Sequence, residues 1–203
     1  QPIGPLRTNA AMFDPSAYGP ELARLLLPER LNALGRGSPH TEARASLERL
    51  SVEQLLAPHQ VIDQQMGELC RAALWLYHDC LEESHRISQS AASATGCYWH
   101  ALMHRREGDF WNSKYWFRQV GQHPVFERLA NAGAEIAAGT DRKPAIDFLT
   151  TQAHWDPSKF VDLCEACTTG RCDHELLCRR IQQREWQLLF DYCFQRAIGC
   201  AGH

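Results

Sequence analysis

The sequence predicts an all-α protein, a single domain of about eight helices packed as stacked helical hairpins. Three observations predict it. Apolar residues recur at steps of three and four along most of the chain, the spacing of a helix with one buried face. Helix starts and stops occur in the right order, such as Ser51 with Gln54, Asp109 with Gly121, and Asp156 before Pro157. No stretch reads convincingly as a strand. The 203 residues, 44% hydrophobic and 22% charged, suffice for one domain with a real core.

Residues 1–40 read as an arm rich in Pro and Gly (Pro2, Gly4, Pro5, Pro15, Gly19, Pro20) with a short helix from Pro20 to about Leu27. Residues 41–203 read as the helical domain. Gly35 to Pro39 is a loop, and Thr41 to Leu50 is a helix with Leu47 and Leu50 on one side. Ser51 and Gln54 form a capping box for a short helix, Val52 to Ala57. Met66, Leu69, Cys70, Ala73, Leu76 and Tyr77 mark an amphipathic helix within Val61 to Tyr77. Another runs from Leu81 to Ser90, and Ala91 to Gly96 punctuates. A helix from about Tyr98 to Glu107 ends at Gly108, and Asp109 caps the next, which closes at Gly121. His123 and Pro124 begin a connection into an Ala- and Gly-rich, then polar, segment containing one short helix, Pro144 to Thr150. Asp156 and Pro157 open a helix that ends at Thr168 to Gly170, and the last helix spans about Asp173 to Ile198.

Charge and hydropathy narrow the function classes. A net charge of −3 and a pI near 6.4 argue against a nucleic-acid partner, which asks for a basic face. No apolar run approaches the ~18–20 residues that span a bilayer, so no membrane partner is expected. The start at Gln1 has no basic region followed by an apolar stretch, so no signal peptide is expected in these residues. Nine cysteines, an odd number and several at core spacing, read as reduced thiols in a cytoplasmic protein.

The densest chemistry lies in Cys97 to Phe126. At about 100° per residue, His100, His104 and Glu107 share one narrow strip of a helix. Two imidazoles one turn apart can hold one metal ion, and a carboxylate a turn further could join them. The plainer reading is the solvated face of an amphipathic helix. Position 101 is Ala, where a metalloprotease helix carries its Glu. Arg105 and Arg106 flank the apolar side and need carboxylate partners if buried. Glu185 falls inside the apolar stripe of the last helix (Leu177, Ile181, Leu188, Leu189, Tyr192). It is either an ion-pair partner of Arg105 or Arg106, or an acid, base or metal ligand facing the histidines. Asn112 and Lys114, with Arg118, could grip an anion or be ordinary surface groups. Phe110, Trp111, Tyr115, Trp116 and Phe117 read as packing residues. Cys164, Cys167, Cys172, His174 and Cys178 admit three readings: a structural zinc knuckle, a disulfide such as Cys167 with Cys172, or plain thiols.

Offsetting the sequence by 29 residues aligns Leu81 with Phe110, Ser84 with Ser113 and Ile87 with Trp116. GDFWNSKYWF resembles the middle of a tetratricopeptide repeat, in which a small residue, here Ser113, lets paired helices approach. The repeat's period is about 34 residues, so two degenerate hairpins are implied, not an array. The longer run YWHALMHRREGDFWNSKYWFRQVGQHPVF, with SHRISQS at Ser84 to Ser90 and EWQLLFDYC at Glu185 to Cys193, resembles a family of uncharacterised, chiefly bacterial proteins. That resemblance implies a soluble helical protein and no transferable activity.

Two functions follow. One is a binding or scaffolding module that presents a groove to a small molecule or peptide, with no cofactor. The other is an enzyme, metal-dependent or acid–base, with His100, His104 and Glu185 as its site and Arg105 or Lys114 holding an anionic substrate; a divalent metal belongs to this reading. Glu185 is expected within contact range of the Tyr98 to Glu107 helix.

Overall fold

The computed structural model describes residues 13–140 and 144–200, so residues 1–12 of the expected N-terminal arm lie outside the described residues. The fold is all-helical. Its α-helices are α1 (Pro20–Leu26), α2 (Thr41–Arg49), α3 (Val52–Leu55), α4 (Gln64–Tyr77), α5 (Leu81–Ser90), α6 (Ala94–Glu107), α7 (Phe110–Val120), α8 (Val125–Ala138), α9 (Phe148–Thr151), α10 (Pro157–Thr168) and α11 (Glu175–Ala197). Among the described residues that is eleven helices, not about eight, and α3 and α9 are single turns.

The chain builds hairpins as the turn signals demand. α4 packs on α5, α5 on α6 and α6 on α7, and α11 lies across α4 and α8. Ser113 is fully buried, and its hydroxyl donates to the Ala101 carbonyl at 2.8 Å, so α6 and α7 meet closely at this small residue. Trp186 Nε1 donates to the Ala73 carbonyl and Trp99 Nε1 to Cys193 Sγ, which ties α11 to both α4 and α6.

Three expectations need correction. The first concerns α6, which begins at Ala94 and not near Tyr98. Ser93 accepts from the Gly96 amide as its cap. The second is α8, fourteen residues long, which stands where a connection and an Ala- and Gly-rich segment are expected. Val125, Leu129, Gly133 and Ala137 recur every four residues and form its buried face. Gly133 leaves room there for the Trp155 ring, which a Cβ would approach to 3.1 Å. The expected helix Pro144 to Thr150 is a 3-10 turn (Pro144–Ile146) followed by α9.

Between α1 and α2 the chain has no regular structure, yet its backbone is satisfied by side chains. The Arg30 amide donates to the Tyr77 hydroxyl. Arg179 donates to the carbonyls of Leu31 and Asn32, Gln182 to Ala33, and Arg106 to Gly35. Among the described residues no helix is long and apolar enough to cross a membrane.

Candidate metal centre

α6 is buried on nearly every side, from Thr95 to Arg106. The strip expected to face solvent does not: His100 is 3% exposed and His104 7%. The reason is α5, which lies over that strip and brings His85 with it. The His85 ring centroid is 4.8 Å from that of His100 and 5.3 Å from that of His104. Glu107, one turn on, sits near the rim.

His100 Nε2 and His104 Nε2 are 3.1 Å apart and share a hydrogen bond, one ring donating and the other accepting. Two imidazole nitrogens on one tetrahedral ion, each at about 2.0–2.1 Å, stand roughly 3.4 Å from each other. A small opening of this pair therefore suffices for both to share an ion. One ligand atom from each of His85, His100 and His104 falls within 4.8 Å of the others. Ring planes are set by packing, with His100 stacked on Trp116 at 4.1 Å between centroids. Behind His104, Glu107 Oε2 lies 3.3 Å from Nδ1, off the line of a hydrogen bond and within reach of one after a small turn of the ring, and Arg36 holds the other Glu107 oxygen at 2.5 Å. A carboxylate behind an imidazole orients it for a metal and raises its basicity as a ligand. Burial, then the neighbouring imidazoles of His104 and His85, pushes the His100 pKa down to about 3. Burial, then His85, also lowers that of His104. The neutral imidazole is the form that ligates metal. Three imidazoles suit zinc, copper, nickel or iron better than calcium or magnesium.

Glu185 takes a different place from the one expected in the composite site. It is completely buried and lies against α6, as its position in the apolar stripe implied. There it accepts from Arg105 Nη2 at 2.5 Å and from the Tyr98 hydroxyl at 2.9 Å. Tyr98 and Arg105, two turns apart, share one face of α6. His100 and His104 lie about 120–160° round the helix from Tyr98. Glu185 is therefore an ion-pair partner on the far side, and His85 stands where a third ligand was sought. Arg105, further covered by the Phe160 ring at 4.9 Å, is committed to that pair. Asn112 bonds the Asp109 carboxylate at the start of α7, and Lys114 pairs with Asp162 on α10 at 2.7 Å. Neither is gathered with the histidines.

Sequence reasoning missed Asp79. It follows α4 with a left-handed φ of 61° and receives Arg106 at 2.5 Å, Arg30 at 3.0 Å and Asn32. It is the carboxylate that Arg106 required. His85 was also missed, although it lies in the SHRISQS stretch, because a helical wheel relates residues of one helix only.

Comparison with protein-family models, with curated proteins and with solved structures finds no match to this chain.

Proposed function

We propose that this protein binds one divalent transition-metal ion, with zinc the best chemical match, through His85, His100 and His104. The observation that carries this reading is the 3.1 Å approach of two buried Nε2 atoms beside a third imidazole. The carboxylate behind His104 supports it. Three protein ligands on zinc leave a position for water or substrate, the pattern of catalytic rather than structural sites. A bound ion there would supply Lewis acidity and a water of lowered pKa, and the reaction class this favours is metal-assisted hydrolysis or hydration. His85, the least buried of the three, marks the side from which a ligand would approach. Glu107 and Arg36 would orient His104, and Trp116 would fix the plane of His100.

A second reading keeps the tetratricopeptide-like stacked hairpins as a binding module. It is favoured by an open cleft of about 820 Å³ lined by His123, Phe126, Asn131 and Trp155, large enough for a peptide side chain or small molecule.

Plasma mass spectrometry of untagged protein tests the metal reading. The expected result is one equivalent fewer of metal in His85→Ala and in His100→Ala than in the unaltered protein, with no loss in Glu185→Gln. Equal metal content in all four samples would refute it and leave the cleft as the functional surface.

A further inference from the structure

The turn joining α10 to α11 gathers a second set of soft ligands, remote in sequence from the histidine cluster. α10 contributes Cys167 near its C-terminal end. Gly170, at a φ of 74°, turns the chain, and Cys172 and His174 follow before Cys178 in the first turn of α11. Cys167 Sγ and Cys178 Sγ are 3.8 Å apart. Thiolates at about 2.3 Å from one tetrahedral ion lie roughly 3.8 Å from each other, whereas a disulfide requires about 2.05 Å. The two thiols share a hydrogen bond at this spacing, which two ligands on one ion could keep and a disulfide could not.

Cys172 and His174 both lie beside Cys167. Cys172 interacts with Cys167, and its Sγ lies within 4.8 Å of a ligand atom of His174. His174 is 7% exposed, and its Nε2 makes no hydrogen bond; the Asp173 carboxylate is 3.7 Å away. A buried imidazole nitrogen without a hydrogen bond is costly unless something ligates it. The backbone N–H of His174 donates to Cys167 Sγ, which places the residue beside that thiol. His174 also stands at the start of α11 without giving the helix a side-chain cap. Cys172 is only partly buried and gives an ion a way in. Cys164, one turn further back on α10 and 1% exposed, also contacts the Cys178 thiol and lies near Arg105.

We propose that Cys167, Cys172, His174 and Cys178 form a structural site for a thiophilic divalent ion of the zinc class, which staples α10 to α11. Four protein ligands close the coordination sphere, as structural zinc sites do. The carboxylate of Asp173 is the harder, less suited donor beside three sulfurs.

Cobalt(II) titration of the reduced full-length chain tests this site separately from the histidine cluster, because only thiolate ligands give a sulfur-to-cobalt charge-transfer band. The expected result is such a band, displaced by one equivalent of zinc, retained in His100→Ala and lost or cut at least severalfold in Cys172→Ser and His174→Ala. Cys172 lies at the edge of the core, so its Ser variant is a mild change, and circular dichroism checks that the fold is kept. Absence of the band in the unaltered reduced protein would overturn the proposal, as would a band that survives both variants. A thiol count of seven instead of nine in freshly purified, denatured protein would assign the turn to a disulfide instead. If the band behaves as expected while metal content is unchanged in His100→Ala, this site stands and the histidine centre falls.

Discussion

Glu185→Leu leaves the Arg105 guanidinium and the Tyr98 hydroxyl without their acceptor in the deepest part of the core. Both members of the ion pair are essentially inaccessible, at 1% and 0% exposure, so water cannot replace the lost partner. Arg105 Nε and Nη1 make no hydrogen bond of their own, which concentrates its stabilisation in the one Glu185 contact. Removing one member of a buried pair costs about 3–5 kcal/mol. That is a large part of the ~5–15 kcal/mol that holds a domain together. With a urea m-value of about 2–3 kcal/mol per M, the unfolding midpoint should fall by roughly 1–2 M. Replacing both charges, as Glu185→Leu with Arg105→Met, should recover most of the loss, because the penalty is chiefly that of an unpaired buried charge. Urea titrations of the unaltered chain, both single variants and the double variant decide it. A midpoint shift under about 0.3 M for Glu185→Leu would refute this account, as would a double variant as unstable as the sum of the singles.

Ser113→Val should destabilise by about 1–3 kcal/mol, because α6 and α7 touch at a fully buried residue and the hydroxyl bond to Ala101 is lost; thermal melting reads the drop. Burial, then the Arg30 charge, lowers the His78 pKa to about 4. The unfolded chain then binds the extra proton below pH 6.5 while the folded chain resists it down to about 4, so stability falls as pH drops through that window. Between pH 7 and pH 5 the loss from this one group is about 2 kcal/mol, and His78→Phe should flatten the pH dependence of the urea midpoint by that amount; an unchanged slope would count against it.

What could be read from the sequence was what lies along one helix. Glu185 betrayed itself by sitting in an apolar stripe, and Arg105 and Arg106 by flanking one, so a need for buried partners was legible. Which partner each would take was not, since Asp79 reaches Arg106 only through a left-handed residue after α4 and the way the hairpins stack. The helical wheel put His100 and His104 on one strip correctly, but it judged the strip against the helix alone. The strip is buried because α5 covers it, and that is a fact about packing. α8 escaped notice for a compositional reason: its buried face is built partly from Gly133 and Ala137, small residues that read as loop yet leave room for Trp155. The capping signals at Ser51, Asp109 and Asp156 translated directly into helix starts, because a cap is chemistry between near neighbours.

The loop before α2 borrows its hydrogen bonds from α11, and this orders events during synthesis. The Asn32 carbonyl waits for the Arg179 side chain, 147 residues later. At about 5–20 residues per second the ribosome takes roughly 7–30 s to deliver it. Until α11 emerges, the carbonyls of Leu31, Asn32 and Ala33 have only water to bond, and the groove that α11 fills between α4 and α8 stands open. Early-made helices can pair as hairpins, but the assembly of this protein is completed by a late-arriving segment. A chain stalled before α11 would therefore present an apolar trough to chaperones instead of a finished surface.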